Sequence, residues 1–360
     1  MNTILSFSRP IIAFFLVCAF SSCVPVQVNI PETELHGEAS PTVSLATREP
    51  VPIATLIPTH TATFALPPTA TVSPFPTTPP VNTVITRIAE KDGMEMVFVP
   101  AGAFEMGSSE GNQREQPVRQ VYLNAYWIDR TEVTNAMFKK FVNETGWRTE
   151  AEKAGWSWAY QSFEKDYEAT SGATWRNPHP GFWIANLENH PVVHVSWADA
   201  QAYCEWAGRR LPTNAEWEKS ARGTDGRTYS WGNEDPDGHL ANFADVNLEH
   251  FLSDENVDDG YQFTAPVGSY PAGASPYGAL DMVGNVAEWV HDWYCSSCPH
   301  DSINNPVGPA FGEERILRGG TWISSIDSLP SWHRSRLYPE STGSFYGFRC
   351  ALSHPDANPG

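Results

Sequence analysis

Several groups of residues in this chain have types and spacings that could do chemistry. Asp281-Met282-Val283-Gly284-Asn285-Val286-Ala287-Glu288-Trp289 places two carboxylates and an amide around a glycine turn. Calcium takes six to eight oxygen ligands and accepts backbone carbonyls, so a loop of this kind can hold it. The alternative for Asn285 and Glu288 is a turn followed by a structural carboxylate, with no metal. Asp254-x-Asn256-x-Asp258 opens like an EF-hand loop, but Asp259 stands where glycine is needed and Ala265 where glutamate is needed, so that reading is rejected. Cys295-Ser296-Ser297-Cys298 is a thiol pair at a spacing that serves a local disulfide, a redox site or a metal. His194 sits within an apolar run and His333 is isolated, so both read as structural. Arg318, Arg334, Arg336 and Arg349 cluster near Trp322, Trp332 and Tyr346; the first and last read as partners of buried carboxylates.

These residues need elements to hold them. Met96–Pro100 and Val121–Ile128 are rich in β-branched and aromatic residues and read as strands. Thr134 caps an expected helix that buries Met137, Phe138, Phe141 and Val142 and stops at Gly146. Two more helices start at capping boxes, Ser196 with Asp199 and Thr213 with Glu216, and end at Gly208 and Gly223. Residues 147–190 and 224–265 show little periodicity and are too long for ordinary loops, so something besides a simple core must tie them.

The compartment follows from the first residues. Arg9 precedes the apolar run Ile11–Phe20, which is too short to span a bilayer as a mature helix and has the form of a secretory signal. Ser21-Ser22-Cys23 resembles a bacterial lipobox with Cys23 as the lipid anchor, although Phe20 replaces the usual leucine; ordinary cleavage nearby is the alternative. Residues 24–87 hold twelve of the thirty prolines and no cluster of large apolar residues. They read as an extended, disordered stalk. Residues 88–352 form one expected domain and 353–360 a short tail. The net charge of −19 argues against nucleic acid as a partner and is compatible with divalent cations.

The ordered blocks carry a family resemblance. Pro191–Trp197, Ala202–Gly208, Arg210–Glu218, Asp281–Trp289, Leu317–Trp322 and Tyr346–Cys350 together resemble the formylglycine-generating enzymes, or sulfatase-modifying factors, over residues 94–352. The resemblance implies an irregular α/β (α+β) fold, low in regular structure and related to C-type lectins. It implies one calcium site with the side chains of Asp281 and Glu288 and the carbonyls of Gly284 and Val286. A second would use the side chains of Asn242 and Asp259 and the carbonyls of Phe243 and Tyr261. It pairs Cys204 with Cys350 in a disulfide, which leaves Cys295 and Cys298 to each other in an exported protein. It places a peptide groove near Trp322, Ser324, Trp332, Arg334 and Arg336.

The resemblance also shows a departure. Members that make formylglycine hold copper through two cysteines just beyond the Gly-Gly block. Here the first position falls at Ser324 and the second near Leu329, and neither residue is a soft ligand for Cu(I). The reading is therefore an exported, membrane-anchored, calcium-stabilised binding or accessory module without copper chemistry, its partner a peptide or an envelope protein. The competing readings are an authentic formylglycine-generating oxidase acting on a sulfatase cysteine, and an enzyme that runs a different oxidation in the same groove.

Overall fold

The computed structural model describes residues 84–162, 166–181, 186–295 and 303–354. Five strands come first: β1 (Thr86–Ile88), β2 (Glu95–Val99), β3 (Gly102–Met106), β4 (Arg119–Leu123) and β5 (Tyr126–Asp129). Helices α1 (Asn135–Thr145) and α2 (Glu150–Ala154) lead into the hairpin β6 (Trp156–Ser162) and β7 (Asp166–Ser171). Helices α3 (Trp197–Trp206) and α4 (Asn214–Arg222) follow. The last strands are β8 (Ala287–Trp293), β9 (Arg315–Arg318), β10 (Arg334–Leu337), β11 (Tyr346–Gly347) and β12 (Ala351–Ser353). They form two four-stranded sheets, ordered β1-β2-β5-β12 and β10-β9-β8-β11, and the two hairpins β3-β4 and β6-β7. This is a mixed α+β architecture in which much of the chain is irregular, as expected.

The helix boundaries follow local hydrogen-bond chemistry. Thr134 caps α1 by accepting from the Met137 amide, and Gly146 ends it in the left-handed conformation. Phe138, Phe141 and Val142 are buried beneath it, while Met137 is half-buried at the edge of the same cluster. Capping boxes are present at Ser196/Asp199 and Thr213/Glu216. A third, Thr149/Glu152, starts α2 within a stretch that the sequence left without elements. The expected strand Val121–Ile128 is two strands, β4 and β5, that turn at Asn124-Ala125 and enter different sheets. Its alternation therefore belongs to two separate faces.

Three buried arginines join these layers. Arg209 lies between Asp92 and Asp129, and Asp129 also accepts from the Cys350 amide at 2.8 Å. Arg318 pairs with Glu218 of α4 at 2.5 Å, and Arg349 pairs with Glu288 of β8 at 2.7 Å. The last two confirm the structural reading of those arginines. Cys204 of α3 is bonded to Cys350 at 2.07 Å across 146 residues. A loop of that length gives about 4–5 kcal/mol in the chain-entropy account. Replacing both cysteines, Cys204→Ala with Cys350→Ala, should lower the unfolding free energy by roughly 2–5 kcal/mol in a urea titration. An unchanged midpoint would contradict that account.

Candidate functional site

The loop before β8 is packed from both sides. Asp281 and Asn285 both adopt left-handed backbone, with φ of 54° and 56°. Gly284 is obligatory, because a Cβ there would lie 2.1 Å from the Asn242 carbonyl oxygen. Asn285 Oδ1 accepts from the Ala265 amide at 2.9 Å, and its amide nitrogen donates to Glu132 Oε1 at 2.9 Å. Asp281 Oδ2 accepts from the Gly268 amide at 2.6 Å. Burial raises the carboxyls of both Asp281 and Glu132, and for Glu132 the neighbouring Asp281 charge adds to it. Glu288 is fully buried, but its oxygens receive two Arg349 donors at 2.7 Å and the Trp217 indole at 2.8 Å. Its first duty is thus an ion pair within the core.

A second loop lies against the first. The Asn285 amide donates to the Asn242 carbonyl at 2.8 Å. Asn242 donates from its side chain to the Phe263 carbonyl at 2.8 Å, which leaves Asn242 Oδ1 buried without a partner. Asp259 accepts from the amides of Phe243 and Tyr261 at 3.0 and 2.8 Å. Its carboxyl is pushed up to about 7, chiefly by burial and then by Asp245. Asp259 and Tyr261 also line a cleft of about 410 Å³ with His239, Ser269 and Tyr270. The structure therefore brings Asn242, Phe243, Asp259 and Tyr261 together despite the insertion between them. The Asp254–Asp258 run serves local turns, with Asp254 Oδ1 accepting from the Asn256 amide at 2.9 Å.

These loops fit a hard cation. Among the described residues no three His, Cys, Asp or Glu side chains converge as a metal centre. The loops instead offer single carboxylates with amide and backbone carbonyl oxygens, a donor set of the kind calcium accepts. Two buried oxygens without donors, Asn242 Oδ1 and Glu132 Oε2, point the same way. Asn242 and Asp259, with the carbonyls of Phe243 and Tyr261, would hold one ion. Asp281, with the carbonyls of Gly284 and Val286, would hold another.

The Gly-Gly segment does not fit copper. A Cβ on Gly320 would lie 2.9 Å from Leu329 Cδ2 and 3.6 Å from Ser324 Oγ, so both positions converge on the same turn. Ser324 Oγ is taken up there by the Thr321 amide at 3.0 Å, and Leu329 is fully buried among Tyr229, Phe243 and Val283. A capped hydroxyl and an isobutyl group cannot hold Cu(I).

The expected groove residues do not share one environment. Trp322 is core, buried against Phe263 and Phe345, with its indole donating to the Ser344 carbonyl at 3.0 Å. Trp332 lies largely buried under the Arg222 guanidinium at 5.0 Å, yet with Arg334 and Glu115 it lines a small surface pocket. Arg336 pairs with Glu314 at 3.3 Å and covers the Tyr294 ring, and the Arg334 amide donates to Glu115. An aromatic in a glycine-rich block looks alike from sequence whether it faces a ligand or the interior. His194 is core, with Nε2 donating to the Pro178 carbonyl at 2.7 Å; burial lowers it to about 4, and His333 likewise. Cys295 is disulfide-bonded, while Cys298 and Cys23 lie outside the described residues.

The fold and loops define a protein of the sulfatase-modifying-factor type. Residues 81–354 match the sulfatase-modifying factor enzyme 1-like domain, and the chain belongs to that family. It is 39% identical over 284 residues to a mouse formylglycine-generating enzyme, covering 72% of this chain and 75% of that protein. It is 37% identical to bovine inactive C-alpha-formylglycine-generating enzyme 2, covering 72% and 88%. In fold it is similar to PvdO from Pseudomonas aeruginosa, with a TM-score of 0.60 and 24% identity over 75% of this chain and 98% of that one.

The Asp259 carboxyl gives a pH prediction. Its folded value of about 7 lies above the ordinary 3.8, so the calcium-free fold keeps a proton that the unfolded chain releases. The stability this contributes is full below pH 3.8 and declines as pH rises to about 7. A cation binds the ionised form, so calcium affinity measured by calorimetry should increase from pH 6 towards pH 8. Affinity that is flat over that range would count against Asp259 as a ligand.

Proposed function

We propose that this chain is an exported, lipid-anchored member of the sulfatase-modifying-factor family that holds calcium and does not carry copper oxidase chemistry. It acts as a binding or accessory module for a peptide or an envelope protein. The observation that carries this reading is the pair Ser324 and Leu329, set around Gly320 where a thiolate pair would be needed. The likeness to a relative named inactive supports it. The export signal and stalk read from residues 1–87 support the location. Among the described residues no helix is long and apolar enough to cross a membrane.

The purified protein should leave the cysteine of a sulfatase-type peptide unchanged in a mass-spectrometric assay, with or without copper. Restoring both thiols, Ser324→Cys with Leu329→Cys, should create Cu(I) binding that the natural chain lacks. Turnover by the unmodified protein would instead establish the authentic oxidase.

Calcium should stabilise the domain, since ligand at a hundredfold excess over Kd adds about 2.7 kcal/mol. Chelation should therefore lower the melting temperature, read by calorimetric scanning. An unchanged midpoint would remove calcium from the reading.

A further inference from the structure

Two arginines of one surface pocket are left without carboxylates. Arg119 opens β4 and Arg334 opens β10, and both line a pocket with Met106, Glu115, Glu218 and Trp332. Glu218 commits its oxygens to Arg318, Arg222 and the Gly107 amide. Glu115 is 4% exposed; its Oε1 accepts from the Arg334 main chain at 3.3 Å, and its Oε2 is buried without a donor. Burial raises the Glu115 carboxyl, so it offsets the guanidiniums poorly. Arg119 donates only to Met106 Sδ at 3.5 Å, and Arg334 Nε is buried without an acceptor. Among the described residues neither guanidinium has a carboxylate within ion-pair distance. Arg336 shows the contrast two residues on, since it pairs with Glu314 at 3.3 Å.

We infer that this pocket binds a carboxylate of a peptide partner, held by Arg119 and Arg334 beside Trp332. This rests on the binding-module reading and names the chemistry of its partner, an acidic side chain or a free C-terminus. The guanidinium fork matches the two oxygens of a carboxylate, and charge-assisted bonds of this kind are the strong ones. Met106 and Trp332 give the pocket apolar walls. These suit the carbon stem of a peptide carboxylate and offer nothing to an inorganic anion. The chain carries 42 acidic residues against 23 basic ones, so most of its surface repels such a ligand. Two unpaired guanidiniums in one pocket are a local exception that fixes where it can dock.

The test is an NMR titration of the purified full chain, read at the Trp332 indole N–H and assigned with Trp332→Phe. The probes are acetyl-Gly-Gly-Asp-Gly-Gly-amide, the same peptide with Asn for Asp, acetyl-tetraglycine with a free C-terminus, and inorganic phosphate. A shift with the Asp peptide but not the Asn peptide supports a side-chain carboxylate. A shift with acetyl-tetraglycine but not the Asp peptide supports a chain end. Arg119→Gln and Arg334→Gln should each weaken the binding peptide at least about tenfold, because each removes a charged hydrogen bond. Their melting temperatures should stay at the wild-type value, since neither guanidinium belongs to an ion pair. Arg119→Lys keeps the charge and should recover part of the affinity. If Arg334→Gln does not fold, Arg119→Gln on the other strand decides. The assignment is overturned by wild-type affinity in the Gln variants, by no shift with either carboxylate peptide, by equal shifts from the Asp and Asn peptides, or by phosphate binding as tightly as the peptides. Formylglycine production in the mass-spectrometric assay would instead overturn the binding-module reading, a result independent of the Trp332 shifts.

Discussion

Arg349 reaches four backbone carbonyls and both oxygens of Glu288 from a fully buried position. Those partners come from the end of β5, the loop before β8 and β8 itself, so one guanidinium holds segments that share no ladder. Glu288 extends the tie to α4 through the Trp217 indole, and the neighbouring Cys350 extends it to α3. The planar fork of arginine suits this, because its five donors can serve carbonyls on several sides at once. Removing either partner would leave a buried charge unmatched, which is far more destabilising than losing a surface pair. A chain with short strands and long irregular runs needs such a centre, since regular hydrogen bonding cannot align its pieces.

The helices could be read from sequence because their signals are local. Thr134 to Gly146, Ser196/Asp199 and Thr213/Glu216 each hold the cap and the residue it bonds within one turn. The β6–β7 hairpin was hidden because Trp156 and Trp158 occupy its exposed face, each about two-fifths exposed, so large apolar residues fall on both sides. Alternation then gives no contrast. Glu132 was invisible for a different reason. Its partner Asn285 is distant in sequence, and nothing in Arg130-Thr131-Glu132 distinguishes it from a surface carboxylate. Trp322 was placed in a groove because its burial depends on Phe263 and Phe345, which come from other parts of the chain.

The cation loops and the Gly-Gly turn are one hydrogen-bonded unit. The Gly284 amide donates to the Gly319 carbonyl at 2.7 Å, and the Trp322 amide to the Asn285 carbonyl at 2.9 Å. The Ala244 amide, next to Phe243, donates to the Ser324 carbonyl at 3.1 Å. Ordering of Asn285 or Asn242 by calcium would therefore be transmitted directly to the turn where Ser324 and Leu329 meet. This turn keeps its backbone without metal ligands, because Leu329 fills its position with apolar volume and Ser324 caps the bend. In this chain the two positions expected for copper ligands are part of the packing, and the loops around them are held by their own hydrogen bonds. The backbone of this turn is thus preserved by packing and capping alone, whatever chemistry a relative places on it.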